Sequence, residues 1–113
     1  MIKKQVRIRC WVEIDGARFF GPGPAELLEE IENEGSISRA SRKMGMSYKK
    51  AWDIVTKLNS FSENKFVEPF KGGDKGGKAL VTPHAKKTIE RYRMLMKKLN
   101  AVIEKDSFHK WIN

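Results

Sequence analysis

Residues 36–61 read SISRASRKMGMSYKKAWDIVTKLNSF, two amphipathic patterns separated by a three-residue break. Ser36 suits the N-cap of a short helix whose inner face is Ile37, Ala40, Ser41 and Met44, at the i, i+3, i+4, i+7 spacing. Gly45 stops that helix, and Ser47 caps the next one. From Ser47 to Phe61 the pattern buries Ala51, Ile54, Val55, Leu58 and Phe61 and shows Lys49, Lys50, Asp53 and Lys57, with Trp52 at the boundary. A turn as short as Gly45-Met46-Ser47 crosses two amphipathic helices steeply, so the first braces the second while the second offers its N-terminal end to a groove. The stretch predicts a helix-turn-helix.

Its surroundings complete a fold. Upstream, Leu27, Leu28 and Ile31 share one face of a predicted helix from about Pro24 to Asn33, which Gly35 ends. Before it, Val6, Ile8, Cys10, Val12 and Ile14 alternate with Arg7, Arg9, Trp11 and Glu13, the period of a half-buried strand. Asp15-Gly16 turns the chain, Ala17 to Phe20 returns it, and Gly21-Pro22-Gly23-Pro24 breaks the hairpin. Downstream, short strands from Phe66 to Phe70 and from Lys78 to Val81 flank the glycine-rich tip Gly72-Gly73-Asp74-Lys75-Gly76-Gly77, where a wing belongs. Thr82-Pro83 starts a last helix with Ala85, Ile89, Tyr92, Met96, Leu99 and Ile103 at alternating spacings of four and three, a heptad seam. Leu95 and Val102 widen this stripe enough to pack on both a body and a partner. The predicted class is α+β, mainly α: a winged helix-turn-helix with an N-terminal β-hairpin and a long C-terminal dimerisation helix. It forms one domain over 1–113, divided into a hairpin (1–20), a three-helix core (24–61), a wing (66–82) and the dimerisation helix (83–106).

Charge points to a polyanionic partner. The 113 residues include 23 Lys and Arg against 14 Asp and Glu, a formal charge of +9. Arg39, Arg42, Lys43, Lys49, Lys50 and Lys57 face a single acid, Asp53, between Ser36 and Ser60, whereas Ala25 to Glu34 holds five Glu and no base. Solvated lysines on a plain helical hairpin would not account for acids gathered on the preceding helix.

Other chemistries find little footing. His84 and His109 are far apart and neither has a partner at metal-ligand spacing, and Cys10 falls on the inward face of a strand, where a thiol packs. No enzyme activity, cofactor or metal is expected. Gly72, Gly77 and Lys78 have the spacing of a phosphate-binding loop, but Ala79 stands where that loop needs Ser or Thr, and a strand follows where it needs a helix. One cysteine precludes an intrachain disulfide, and no apolar run approaches the ~18 residues of a membrane span, so a cytoplasmic protein without membrane contact is expected.

The expected site follows. Ser47, Tyr48, Lys49 and Lys50 open the reading helix, where hydroxyls and ammonium groups meet base edges and free N–H groups favour phosphate. Lys57 lies further along the same face. Ser38 and Arg39, with Arg42 and Lys43, lie on the bracing helix, where they suit a backbone clamp and a solvated face equally, and Lys71, Lys75 and Lys78 are placed to neutralise phosphates from the wing, where glycines permit close approach. Arg7, Arg9 and Trp11 share the outer face of the first strand, which suits a nucleic-acid surface or a packing face. The dimer interface is expected at Ile89, Tyr92, Met96, Leu99 and Ile103. A winged-helix protein-interaction adaptor, docking a partner on the apolar stripe of the last helix, is the alternative; RNA binding is disfavoured because no sheet face displays stacking aromatics.

Gly35-Ser36-Ile37-Ser38, then Gly45-Met46-Ser47-Tyr48-Lys49-Lys50-Ala51-Trp52, then Leu58-Asn59 resemble the N-terminal DNA-binding domain of the ModE family, molybdate-responsive bacterial transcription regulators with a LysR-like winged helix. Gly21-Pro22-Gly23, the Gly72-Gly73 to Gly77-Lys78 tip and Leu80-Val81-Thr82 extend the resemblance over roughly 11–95. It implies a homodimer on palindromic double-stranded DNA, with Ser47 to Lys50 at the reading end and the last helix in the dimer. Family members that sense molybdate carry C-terminal oxyanion-binding domains, and this sequence stops at Asn113. No molybdate site is therefore expected within the chain.

Overall fold

Asp15 and Gly16 both take positive φ, 49° and 81°, the backbone that a two-residue hairpin turn needs and that this dipeptide adopts readily. They join β1 (Val12–Ile14) to the antiparallel β2 (Ala17–Phe20). The pairing runs Ile14 with Ala17 and Glu13 with Arg18, then jumps to Val12 with Phe20. Phe19 is thus the extra residue of a bulge, which turns two successive aromatics towards the body where a regular strand would turn one. Phe19 meets Phe61 and Phe66 edge-on, while Phe20 meets Phe66 and, edge-on, Tyr92.

This computed structural model describes residues 2–69 and 78–112. After the hairpin come α1 (Pro22–Glu34), α2 (Ile37–Lys43), α3 (Tyr48–Ser60), β3 (Val67–Pro69), β4 (Ala79–Val81) and α4 (Pro83–Asp106), closed by a 3-10 turn over Phe108–Trp111. β3 and β4 pair antiparallel as the base of the wing. The architecture is a winged helix of the α+β class with a long last helix, as the sequence predicts.

Two boundaries differ from expectation for backbone reasons. The predicted strand from Val6 shrinks to Val12–Ile14, because β2 ends at Phe20 and Pro22, which has no N–H, already belongs to a helix. Residues 6–11 therefore pair with no second strand among the described residues, and Cys10 is half-buried. The Tyr92 hydroxyl fastens this arm to the last helix instead, donating to the Cys10 carbonyl at 2.8 Å, and Lys4 Nζ donates to the Ile112 carbonyl just beyond the 3-10 turn. α1 begins at Pro22 where the sequence suggested Pro24, since both prolines fit a first turn whose N–H groups have no helical partner anyway.

The remaining ends obey capping chemistry. Gly35 and Gly45 take φ of 76° and 68°. Ser36, Ser47 and Thr82 accept the backbone N–H of Arg39, Lys50 and Ala85 on their side-chain oxygens at 3.0, 3.1 and 3.1 Å. The core joins Leu27, Leu28 and Ile31 of α1, Ile37 and Ala40 of α2, Ala51, Val55 and Leu58 of α3, the wing base and the first turns of α4. Phe61, expected inside, follows α3 and is 57% exposed. By then the helix has run past the core, and only the edge of Phe19 covers the ring.

Asn59 carries a role that its sequence position does not disclose. Its Oδ1 accepts the N–H groups of Phe66 and Val67 at 2.8 and 3.3 Å, and its Nδ2 donates to the Val67 carbonyl at 3.0 Å. One amide side chain thereby pins the end of α3 to β3. Thr82 ties the other strand, its N–H donating to the Phe66 carbonyl at 3.0 Å and its hydroxyl to the Lys65 carbonyl at 2.6 Å.

Candidate nucleic-acid interface

α2 and α3 meet at Gly45-Met46-Ser47, with the Met46 N–H donating to the Ser41 carbonyl at 3.0 Å. Ser41 is buried and donates its hydroxyl to the Ser38 carbonyl at 2.7 Å; Ser38 is half-buried and Arg39 beside it is exposed. Behind the turn, Ala51, Val55 and Leu58 anchor α3 in the core. In front of it, Ser47, Tyr48, Lys49 and Lys50 all lie exposed on the first turn of α3. The four predicted reading residues are therefore side by side on a helix start.

Tyr48 and Trp52, one helical turn apart, stack with ring centroids 6.3 Å apart and planes within 15°. Both are exposed. The sequence placed Trp52 only at the boundary of the buried face, although an aromatic pair at i, i+4 is a recognisable signal. The pair forms a flat, amphipathic flank to the reading end.

The separation of charge has a structural cause. Glu30 and Glu34 of α1 sit 3.4 and 3.5 Å from Lys43, Glu32 sits 3.1 Å from Lys86, and Glu29 holds Arg93. The carboxylate of Glu30, then that of Glu34, raises the Lys43 pKa above the usual ammonium range, and the Glu29 hydrogen bond raises that of Arg93. Four of the five glutamates of α1 are thus paired with cations of α2 and α4. Among the described residues, Arg39, Lys49, Lys50 and Lys57 have no acidic partner. Cations without partners, at a helix start whose free N–H groups add positive potential, make a surface for phosphate.

Of the wing cations, Lys78 is described and exposed; Lys71 and Lys75 lie outside the described residues. Of the five residues expected at the dimer seam, Ile89 and Tyr92 turn inward and are buried in the chain's own core, because the first turns of α4 lie across Phe20 and the wing base. Met96 packs against that core from its margin, and Leu99 and Ile103 are half-buried. The exposed apolar residues of α4 are Met94, Leu95 and Val102. No described helix is long and apolar enough to cross a membrane, and no cluster of three potential metal ligands occurs among the described residues.

A bracing helix, a second helix with an exposed cationic first turn, and a two-stranded wing base define a winged helix-turn-helix domain. No protein-family model matches the chain. It is 35% identical over 91 residues, 80% of its length, to the DNA-binding transcriptional dual regulator ModE of Escherichia coli K12. It is 33% identical over 92 residues, 81% of its length, to the transcriptional regulator ModE of Haemophilus influenzae. The molybdenum-pterin-binding protein MopA of Rhodobacter capsulatus is 41% identical over 80 residues, 71% of the chain. These matches cover 35%, 36% and 30% of the respective relatives, so the chain spans about a third of their length. Over the region it shares with these regulators, the chain is ModE-like.

Proposed function

We propose that this domain binds double-stranded DNA with sequence preference, as a homodimer, and so regulates transcription. The observation that carries the reading is the first turn of α3, where Tyr48, Lys49 and Lys50 stand exposed beside a capped helix start while the acids of α1 are paired elsewhere. The names of the relatives support it. Ser47, Tyr48, Lys49 and Lys50 would enter the major groove. Arg39, with the Ser38 end of α2, would hold one phosphate backbone, while Lys57 and the wing cations Lys71, Lys75 and Lys78 would hold its neighbours. The role has no catalytic step, and a cytoplasmic setting suits it.

Dimerisation would use the outer half of α4, with Met96, Leu99 and Ile103 joined by the exposed Leu95 and Val102. Ile89 and Tyr92 would support that face from within. A two-fold axis through α4 would present two reading ends to a palindromic site, with half-sites about 34 Å apart.

Selection of bound fragments from genomic DNA, followed by titration of a selected duplex and a scrambled one at several salt concentrations, tests the proposal. A specific regulator prefers the selected duplex and loses affinity steeply as salt rises. Equal affinity for every duplex would reject it. Weak binding with little salt dependence would favour the adaptor, for which the exposed Met94, Leu95 and Val102 are the observation in support.

A further inference from the structure

A cleft of about 350 Å³ opens between the β1–β2 hairpin, the start of α1 and the middle of α3. Of its lining, the DNA-binding reading uses Lys57 alone. Its walls are apolar, with Trp11 and Phe19 from the hairpin, Pro22 and Pro24 from α1, and Ile54 from α3. Three cations, Arg9, Arg18 and Lys57, converge on it, and no acidic residue lines it. Glu13, opposite Arg18 on the ladder, accepts the Trp11 indole N–H at 2.9 Å and forms no ion pair with Arg18.

The cleft is built rather than incidental. Trp11 sits so close to Gly21 that a Cβ there would stand 2.8 Å from the Trp11 Cβ, so only glycine lets the indole wall take this position. The Arg18 guanidinium lies 3.8 Å over the indole ring, which fixes the cation at the mouth. α1 starts with no side-chain cap, and Pro22 and Pro24 carry no N–H, leaving Gly23 as a donor beside the cleft. A Cβ at Gly23 would meet nothing within 4 Å.

We propose that this cleft binds a small organic anion, an aromatic or similarly flat apolar body carrying one phosphate or carboxylate. The body would lie between Trp11 and Ile54, and the charged end would be held by Arg9 and Arg18 with Lys57. Apolar walls with a few convergent polar groups and a volume of several hundred Å³ suit such a ligand, whereas a bare hydrated ion gains nothing from indole and isoleucine. Ile54 and Lys57 make α3 one wall, so an occupant touches the helix that carries the reading end. The assignment stands on the cleft alone and is tested without DNA.

Phenyl phosphate is the probe, with inorganic phosphate and phenol as controls, followed by amide and indole resonances of the full chain. The Trp11 indole signal is assigned with Trp11→Phe. Saturable shifts at Trp11 and Gly23 with phenyl phosphate are expected, with weaker binding of both controls. Arg9→Gln and Arg18→Gln, both at exposed positions, should each lower the affinity about tenfold, the loss of one charge-assisted hydrogen bond. Equal binding of inorganic phosphate would reduce the cleft to an anion site and overturn the proposal. Shifts centred on Lys49 and Lys50, shifts unchanged in both variants, or shifts at Trp11 caused by a short duplex but not by phenyl phosphate would also overturn it.

Discussion

Lys49 and Lys50 stand exposed on a helix start, and in the proposed complex they would act differently from the wing cations. Ammonium groups at a groove can select guanine edges, whereas those that reach only the backbone meet phosphate alone. Lys49→Ala and Lys50→Ala should therefore cost about 1–3 kcal/mol on the preferred duplex and less on a scrambled one, and competition titrations measure the difference. Lys75→Ala should weaken every duplex alike and flatten the salt slope by about one unit. Asn59 matters for another reason. Its replacement by Ala leaves the Phe66 and Val67 N–H groups without their acceptor, at a cost of about 1–3 kcal/mol in denaturant unfolding. The resemblance included Asn59, but no spacing rule says that an amide at a helix end will clasp a strand seven residues on. Tyr48 to Lys50 were legible because exposure on an amphipathic helix follows from periodicity.

Among the elements, α2 and α3 and their turn were readable to within a residue, because Ser36, Gly45 and Ser47 are capping residues whose preference is local. Ser47→Ala should cost about 1 kcal/mol of stability, seen as a lower denaturation midpoint with unchanged m-value. The N-terminal arm was not readable. Alternation in 6–14 reports which residues suit a strand but not whether a partner strand exists, and among the described residues β2 ends at Phe20 and no other strand pairs with the arm. The arm depends instead on Tyr92, whose hydroxyl donates to the Cys10 carbonyl. Burial raises the phenol pKa, the nearby Cys10 adds to the rise, and Arg93 opposes both. A raised pKa favours the protonated phenol in the folded state. Its contribution is whole below the ordinary phenol value, about 10, and is lost as pH rises through the raised one. Tyr92→Phe should cost about 0.5–1.5 kcal/mol at neutral pH and lessen the loss of stability above about pH 10, which thermal melts across that range will register.

At the scale of the whole molecule, the heptad pattern of α4 was correct as a pattern, yet it serves two purposes that sequence cannot apportion. Nearest the body, Ile89 and Tyr92 complete the core, and further out Leu95 and Val102 remain exposed. Which half of a seam stays free depends on where α4 crosses the hairpin and the wing base, a matter of tertiary placement. If the outer half is the dimer face, Leu95→Glu with Val102→Glu should give a folded monomer by sedimentation, while Ile89→Ala should unfold the chain instead, at about 2–5 kcal/mol. The sided charge belongs to this scale too. The five glutamates read from the sequence lie on α1, and four of them pair with Lys43, Lys86 and Arg93 and none with the cations of α3.

The central claim, that the first turn of α3 reads DNA, is tested most directly by titrating a duplex selected from genomic DNA with the wild type and with Lys49→Ala, Lys50→Ala double-substituted protein, against a scrambled duplex at physiological salt. The account predicts clear preference for the selected duplex in the wild type and near-equal, weak binding of both by the variant. Preference retained by a correctly folded variant would contradict it.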